Sequence, residues 1–180
     1  VRKRPGMYIG GTDERALHHL AAEILDNSMD EAVAGHANRI EMSLSQDGML
    51  TISDNGRGIP IDPHPKYKDK SALEVIMTTL HSGGKFDGNS YQTSGGLHGV
   101  GLSVVNALAA ELRVEVARGK QLWVQEYSRG APTSNLVKQT GNVNRRGTAI
   151  SFRPDFDIFG PKSAFEGKRL HDMAKAKAYL

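Results

Sequence analysis

"AAEILDNSMDEAVAGHA" occupies residues 21–37, and its reading decides the fold. Leu17, Leu20, Ala21, Ile24, Leu25, Ser28 and Ala32 recur at helical spacing, which predicts a long helix from about Glu14 to Gly35 with one apolar stripe. The remaining surface is one-sided in charge. Glu23, Asp26, Asp30 and Glu31 are acidic, and no Lys or Arg occurs from Ala16 to Asn38. Exposed helix faces usually mix signs, because Glu–Lys pairs one turn apart support them. His19, Glu23 and Asn27 follow one another at every fourth residue, and Asp30 falls in the same arc. An ordinary solvated face is one reading. The other is an oxygen-rich wall that receives a hydrated Mg²⁺, with Glu23 as general base toward water and His19 orienting it. The missing cations and a mid-helix Asn of poor helix propensity favour the second reading.

Outward from this helix, "RIEMSL" (39–44) and "MLTISD" (49–54) alternate as strands, and "SQDG" between them suits a hairpin. "SALEVIMTTLH" (71–81) predicts a short helix with a capping box of Ser71 and Glu74. "VGLSVVNALAAEL" (100–112) predicts another helix. "LRVEVA" (112–117), "QLWVQEYS" (121–128) and "GTAISFRP" (147–154) read as strands, and "FEGKRLHDMAKAKAYL" (165–180) as a closing helix. Strands cluster after helices with no regular βαβ repeat. That argues for an α+β fold, a two-layer sandwich of a mixed, mostly antiparallel sheet with helices on one face. The apolar stripe would pack on the sheet and the acidic face would look elsewhere.

Composition sets the outer bounds. The chain has 180 residues, suited to a single domain over 1–180, and 38% are apolar, enough for a real core. Cysteine is absent, which removes disulfides, zinc fingers and a cysteine nucleophile. No apolar run approaches the roughly 18 residues of a membrane span. The formal charge of +3 is a mild bias, in which solvated surface charge competes with a nucleic-acid surface.

Two further constellations carry chemistry. "SDNGRGIP" (53–60) places Asp54 at the end of an apolar strand, followed by Gly56 and Gly58. It reads either as a plain turn, or as a buried carboxylate that accepts from an exocyclic amine, with Ile59 and Pro60 flooring a flat slot. "SGGLHGVGLSVVNAL" (94–108) leads glycines at 95, 96, 99 and 101 into a helix start, where backbone N–H groups can meet phosphates. The spacing is not that of a dinucleotide fold, and no P-loop motif occurs. Lys85 adds a cation suited to a terminal phosphate.

"EILDNSMDEA", "DNGRGIP", "GGLHGVGLSVVNAL" and "GTAISF", in this order, resemble the GHKL ATPase superfamily of gyrase, heat-shock chaperone, histidine kinase and mismatch-repair ATPase. "VRKRPGMYIG", "LHSGGKF" and "SGGLHGVG" are similar to the ATPase subunits of bacterial type IIA topoisomerases, and "DNSMDEA" and "KAKAYL" lean toward the topoisomerase IV branch over the gyrase branch. The resemblance implies the Bergerat fold and an ATP site. Glu23 is then the catalytic base supported by His19, and Asn27 the Mg²⁺ ligand. Asp54 meets adenine N6, with Thr148 acting through water. Ile24, Ile52, Gly58, Ile59, Pro60, Ile76, Met77 and Ile150 line the base pocket, and Glu31 and Arg57 pair at its mouth. Lys85, Tyr91 and the loop Gly96, Leu97, His98, Gly99, Val100 and Gly101 hold the phosphates.

It also implies ATP and Mg²⁺ as cofactors, DNA as partner of the full-length enzyme, and a DNA-cleaving partner, the A subunit of topoisomerase IV or of gyrase. The setting is cytoplasmic, without membrane. The chain reads as a fragment of a longer subunit that dimerises with ATP. The fragment itself is expected to be monomeric and to hydrolyse ATP poorly, for want of the N-terminal arm and of the lysine from the following domain. Gyrases often carry an arginine on the strand reading "QLWVQEY", and this strand has none. The alternatives are histidine-kinase-like phosphotransfer, and a nucleotide-gated clamp that does not act on DNA topology.

Overall fold

A computed structural model describes residues 1–80 and 101–178. In chain order the elements are α1 (Gly6–Ile9), α2 (Glu14–Val33), β1 (Ile40–Leu44), β2 (Leu50–Asp54), α3 (Ala72–Thr78), α4 (Gly101–Ala107), β3 (Ala109–Arg118), β4 (Gln121–Ser128), β5 (Ala131–Pro132), β6 (Val137–Lys138), β7 (Gly147–Pro154), α5 (Phe156–Phe159) and α6 (Gly167–Ala178).

Helix α2 starts where Asp13 Oδ1 accepts from Ala16 N at 2.9 Å, satisfying one of the orphan donors of the first turn. It ends in a Schellman motif. Gly35, at φ +84°, donates to Ala32 O, and His36 N donates to Glu31 O at 2.8 Å. Leu17, Leu20, Ala21, Ile24, Leu25 and Ser28 of the predicted stripe are all buried. The hairpin joining β1 to β2 turns at Gly48, φ +85°, with Ser45 N donating to Met49 O at 2.9 Å.

The strands run in the order β1-β2-β7-β3-β4-β5, with β6 also on β4. The sheet was expected to be mixed and mostly antiparallel; among the described residues every pairing is antiparallel. Register explains the two layers. Leu50, Phe152, Leu112 and Tyr127 stand side by side across four strands, as do Ile52, Ile150, Val114 and Gln125, and all are buried. The alternate positions, such as Thr51, Ser151, Arg113 and Glu126, make the opposite face. There Thr51 and Ser151 share a 2.7 Å hydroxyl bond, and Arg113 pairs with Glu126 at 3.1 Å. One face is therefore apolar and covered and the other polar and solvated, as an antiparallel sheet allows.

Two local expectations are corrected. The helix predicted over 100–112 stops at Ala107, and Ala109 onward is strand. "ALAAEL" has helix propensity, but β3 lies between β7 and β4 and bonds to both, and that outweighs it. At α3, Ser71 Oγ accepts from Glu74 N at 3.0 Å, whereas the Glu74 carboxylate accepts from Gln125 Nε2 of β4 at 3.0 Å. The cap thus doubles as a tie between helix and sheet. No helix among the described residues is long and apolar enough to cross a membrane.

Candidate nucleotide site

The face of α2 predicted to look away from the sheet is mostly not a surface. Glu23, Asn27 and Glu31 are 4%, 5% and 2% exposed, while His19, Asp26 and Asp30 are half-buried. The cations missing from the helix arrive from other elements. Arg57 reaches Glu31 at 2.7 Å, Lys177 reaches Asp26 at 2.6 Å, and Arg169 reaches Glu14 at 3.5 Å. Glu23 Oε2 instead accepts from Gly101 N, the first residue of α4, at 3.3 Å. Burial raises the Glu23 carboxyl above its ordinary pKa, and the neighbouring Asp26 charge adds to this, against the Gly101 bond and Lys177. A carboxylate lifted toward neutrality while still ionisable suits a general base.

Asp54 ends β2 at 8% exposure. Its Oδ2 accepts from Ser28 Oγ at 2.9 Å and its Oδ1 from Gly56 N at 2.9 Å. Burial, with the Glu31 charge behind it, raises this carboxyl, while those donors and Thr148 oppose the rise. Of the roughly four lone-pair sites of the carboxylate, these donors leave capacity for one more.

The turn after Asp54 is tied down residue by residue. Arg57 N and its guanidinium both donate to Glu31, at 2.8 Å and 2.7 Å. Burial works against the Glu31 charge, but these bonds hold its carboxyl below the ordinary value. Arg118 Nη1 donates to Gly58 O at 2.8 Å, and Ile59 N donates to Thr148 Oγ1 of β7 at 3.0 Å. Gly56 has no room for a side chain, since a Cβ would lie 2.5 Å from Glu31 Oε2. Gly58 adopts φ +82°, and a Cβ there would meet Arg118 Cγ at 2.9 Å.

Ile24, Ile52, Ile59, Ile76, Met77 and Ile150 are all buried at 5% exposure or less, and Pro60 is half-buried beside Ile59. Met77 O accepts from the buried Asn106 Nδ2 at 2.8 Å, which joins α3 to α4. Lys85, Tyr91, Gly96, Leu97, His98, Gly99 and Val100 lie outside the described residues.

Three contributors escape the reading of motifs. Ser28 belongs to the apolar stripe by position, and a hydroxyl within such a stripe is the available signal. Gly147 acts by lacking a side chain, since a Cβ there would collide with the Asp54 carbonyl. Arg118, at the end of β3, supplies a rim arginine although β4, the strand on which gyrases often carry one, has none, and strand length alone does not show which strand reaches the turn.

The described residues contain no group of three or more His, Cys, Asp or Glu able to hold a metal ion by themselves. The Asn27 amide beside Glu23 fits Mg²⁺ that takes one or two protein ligands and fills the rest with phosphate oxygens and water.

Residues 12–158 match the family described as histidine kinase-, DNA gyrase B- and HSP90-like ATPase. The B subunit of DNA topoisomerase 4 from Bartonella bacilliformis is 61% identical over 180 residues, covering 100% of this chain and 26% of that protein. Its counterpart from Caulobacter vibrioides is also 61% identical, with 26% of it covered. The B subunit of DNA gyrase from Haloferax volcanii is 52% identical over 183 residues, with all of this chain and 28% of that protein covered. The chain thus spans about a quarter of the length of the curated relatives it matches. Among solved structures, the 43K ATPase domain of Thermus thermophilus gyrase B in complex with an aminocoumarin superposes with a TM-score of 0.87 at 44% identity, over 100% of this chain and 44% of that one. By sequence over most of its length and by fold over all of it, the chain belongs to the histidine kinase-, DNA gyrase B- and HSP90-like ATPase family.

Proposed function

We propose that this chain binds ATP and, within the complete subunit, hydrolyses it to drive DNA strand passage by a type IIA topoisomerase of the topoisomerase IV kind. The observation that carries the reading is the pairing of two buried carboxylates of different surroundings, Glu23 against the start of α4 and Asp54 against Ser28 and Gly56. Asp54 accepts from the adenine amine, with Thr148 beside it, and the buried isoleucines, Met77 and Pro60 cover the faces of the base. Glu23, ionised and oriented by Gly101 N–H, takes the proton of the attacking water. His19, one turn before Glu23, supports it. Asn27 holds Mg²⁺, which when bound neutralises phosphate charge. Arg57, fixed by Glu31, closes the mouth of the base site, while Lys85, Tyr91 and the 96–101 loop are assigned to the phosphates. DNA and a DNA-cleaving partner complete the enzyme, which works as an ATP-dependent dimer in the cytoplasm. The higher identity to topoisomerase 4 relatives than to the gyrase relative supports the branch.

The test uses the complete subunit with its partner. Glu23→Ala is expected to keep affinity for a non-hydrolysable ATP analogue and to lose phosphate release by roughly 10²–10⁴, the worth of a positioned base. Near-normal turnover would remove Glu23 from the mechanism. Decatenation or relaxation by the wild-type assembly tests the DNA reading separately.

A further inference from the structure

Two arginines precede β7, and they behave differently. Arg145 pairs with Glu115 at 2.9 Å, an exposed contact. Arg146 binds backbone carbonyls instead. Its Nε donates to Asn55 O at 3.0 Å and its Nη2 to His36 O at 2.7 Å. One guanidinium therefore joins the turn that follows β2 to the connection that follows α2. Asn55 adds a second tie across the same gap. Its Oδ1 accepts from Asn38 N at 2.9 Å and from Arg39 N at 3.1 Å, and its Nδ2 donates to Asn38 Oδ1 at 2.6 Å.

Gly147, next in the chain, presses on the adjoining peptide. Its bare Cα lies so close that a Cβ would sit 1.9 Å from Asp54 O. Asn55 is thus held through both its peptides: Gly147 backs the one before it, and Arg146 grips the carbonyl of the one after. The Asp54 side chain is short, so the position of its carboxylate follows this backbone directly. Ser28 and Gly56 N–H set its rotation, and β1 holds the inner side of the same backbone, with Ile40 opposite Asp54 and Asn55 N donating to Arg39 O at 3.3 Å.

We propose that Arg146 is a specificity-determining positioning residue, which clamps the Asn55 carbonyl so that the Asp54 carboxylate is aimed at the amine of adenine and away from any arrangement that admits guanine. The inference rests on the reading of Asp54 as the adenine acceptor. Guanine presents a carbonyl oxygen where adenine presents an amine, and a carboxylate held in place has only lone pairs to offer it. A loosened carboxylate loses the bond to adenine and relaxes its repulsion of guanine. Arg146 is exposed, so its replacement leaves the core intact. Lysine would be a partial substitute, because an ammonium lacks the planar fork that spans two carbonyls at once.

The experiment is calorimetric titration of the complete subunit with ADP and with GDP, for wild type, Arg146→Met and Arg146→Lys. Arg146→Met is expected to weaken ADP binding roughly three- to tenfold, the loss of charge-assisted bonds at an exposed site, while GDP binding changes by less than about twofold on the same basis. Arg146→Lys should fall between. Thermal unfolding of each variant monitors the fold. An unchanged ADP-to-GDP ratio, or an equal loss for both nucleotides, would overturn the role in specificity. If the wild type itself shows no preference for ADP over GDP, it is the adenine reading of Asp54 that fails, and this inference falls with it.

Discussion

Replacing Asp54 by asparagine separates its two tasks. The carboxylate accepts from Ser28 Oγ and from Gly56 N, both at 2.9 Å, and is also assigned to the adenine amine. In Asp54→Asn the amide oxygen can keep the Gly56 bond, and the amide nitrogen can donate to Ser28, whose hydroxyl rotates to accept. Both internal partners remain satisfied, so the cost to folding should stay below about 1 kcal/mol, the worth of an ordinary hydrogen bond. Nucleotide binding is treated differently, because the adenine amine would now face a nitrogen that donates. Losing a hydrogen bond to a charged acceptor costs about 1.5–3 kcal/mol, which is roughly 12- to 160-fold in ADP affinity. Asp54→Ala is the contrast. It leaves the Ser28 hydroxyl and the Gly56 N–H without their acceptor in a buried place, adding about 1–3 kcal/mol of instability for each. Calorimetry with ADP and urea unfolding on the same preparations measure both quantities. Wild-type ADP affinity in a stable Asp54→Asn protein would refute the assignment. Instability of Asp54→Asn equal to that of Asp54→Ala would refute the hydrogen-bond argument.

Gly147→Ala is expected to cost about 3 kcal/mol or more, from overpacking together with backbone strain. Its Cβ would overlap the Asp54 carbonyl, and its φ of +119° disfavours any side chain; a shift in urea midpoint below that size would show that the turn can move aside. Asp155 is 2% exposed and takes Arg2 at 2.6 Å and Arg129 at 3.1 Å. Burial opposes its charge, but these arginines and the Asp157 N–H hold its carboxyl below the ordinary value of 3.8. A depressed pKa stabilises the fold above the unfolded value and ceases to do so as pH falls through the folded one. Asp155→Asn should therefore destabilise by about 1–3 kcal/mol at pH 7, given that both arginines are partly exposed. The difference from wild type should shrink below about pH 4; a gap that persists undiminished into acid would show that packing, not charge, accounts for it.

How far a sequence can be read depends on the range of the interaction that decides each feature. The stripe of α2, the "SQDG" hairpin and the Ser71 cap follow from neighbours within a few residues, and all are present. The family motifs are similarly local, and Glu23, Asn27, Asp54 and Thr148 are each buried where those motifs stand. The end of α4 escapes such a reading because "ALAAEL" is decided by pairing with β4 and with the remote β7. Helix propensity differs by tenths of a kcal/mol per residue, and a central strand with ladder bonds on both sides outweighs it.

The charge pattern shows the same division. That α2 carries acids and no base between Ala16 and Asn38 is plain in the chain itself. Which acid is neutralised depends on the fold: Arg57 comes to Glu31 and Lys177 to Asp26, while Glu23 is set against a backbone N–H. The fold likewise assigns Ser28 to Asp54, brings Arg118 to Gly58, and lets Arg146 bridge His36 and Asn55 across 110 and 91 positions of chain. Local periodicity is written in adjacent residues, whereas the partner of a buried charge is settled only when strand order and register bring remote groups within the roughly 3 Å over which a hydrogen bond acts.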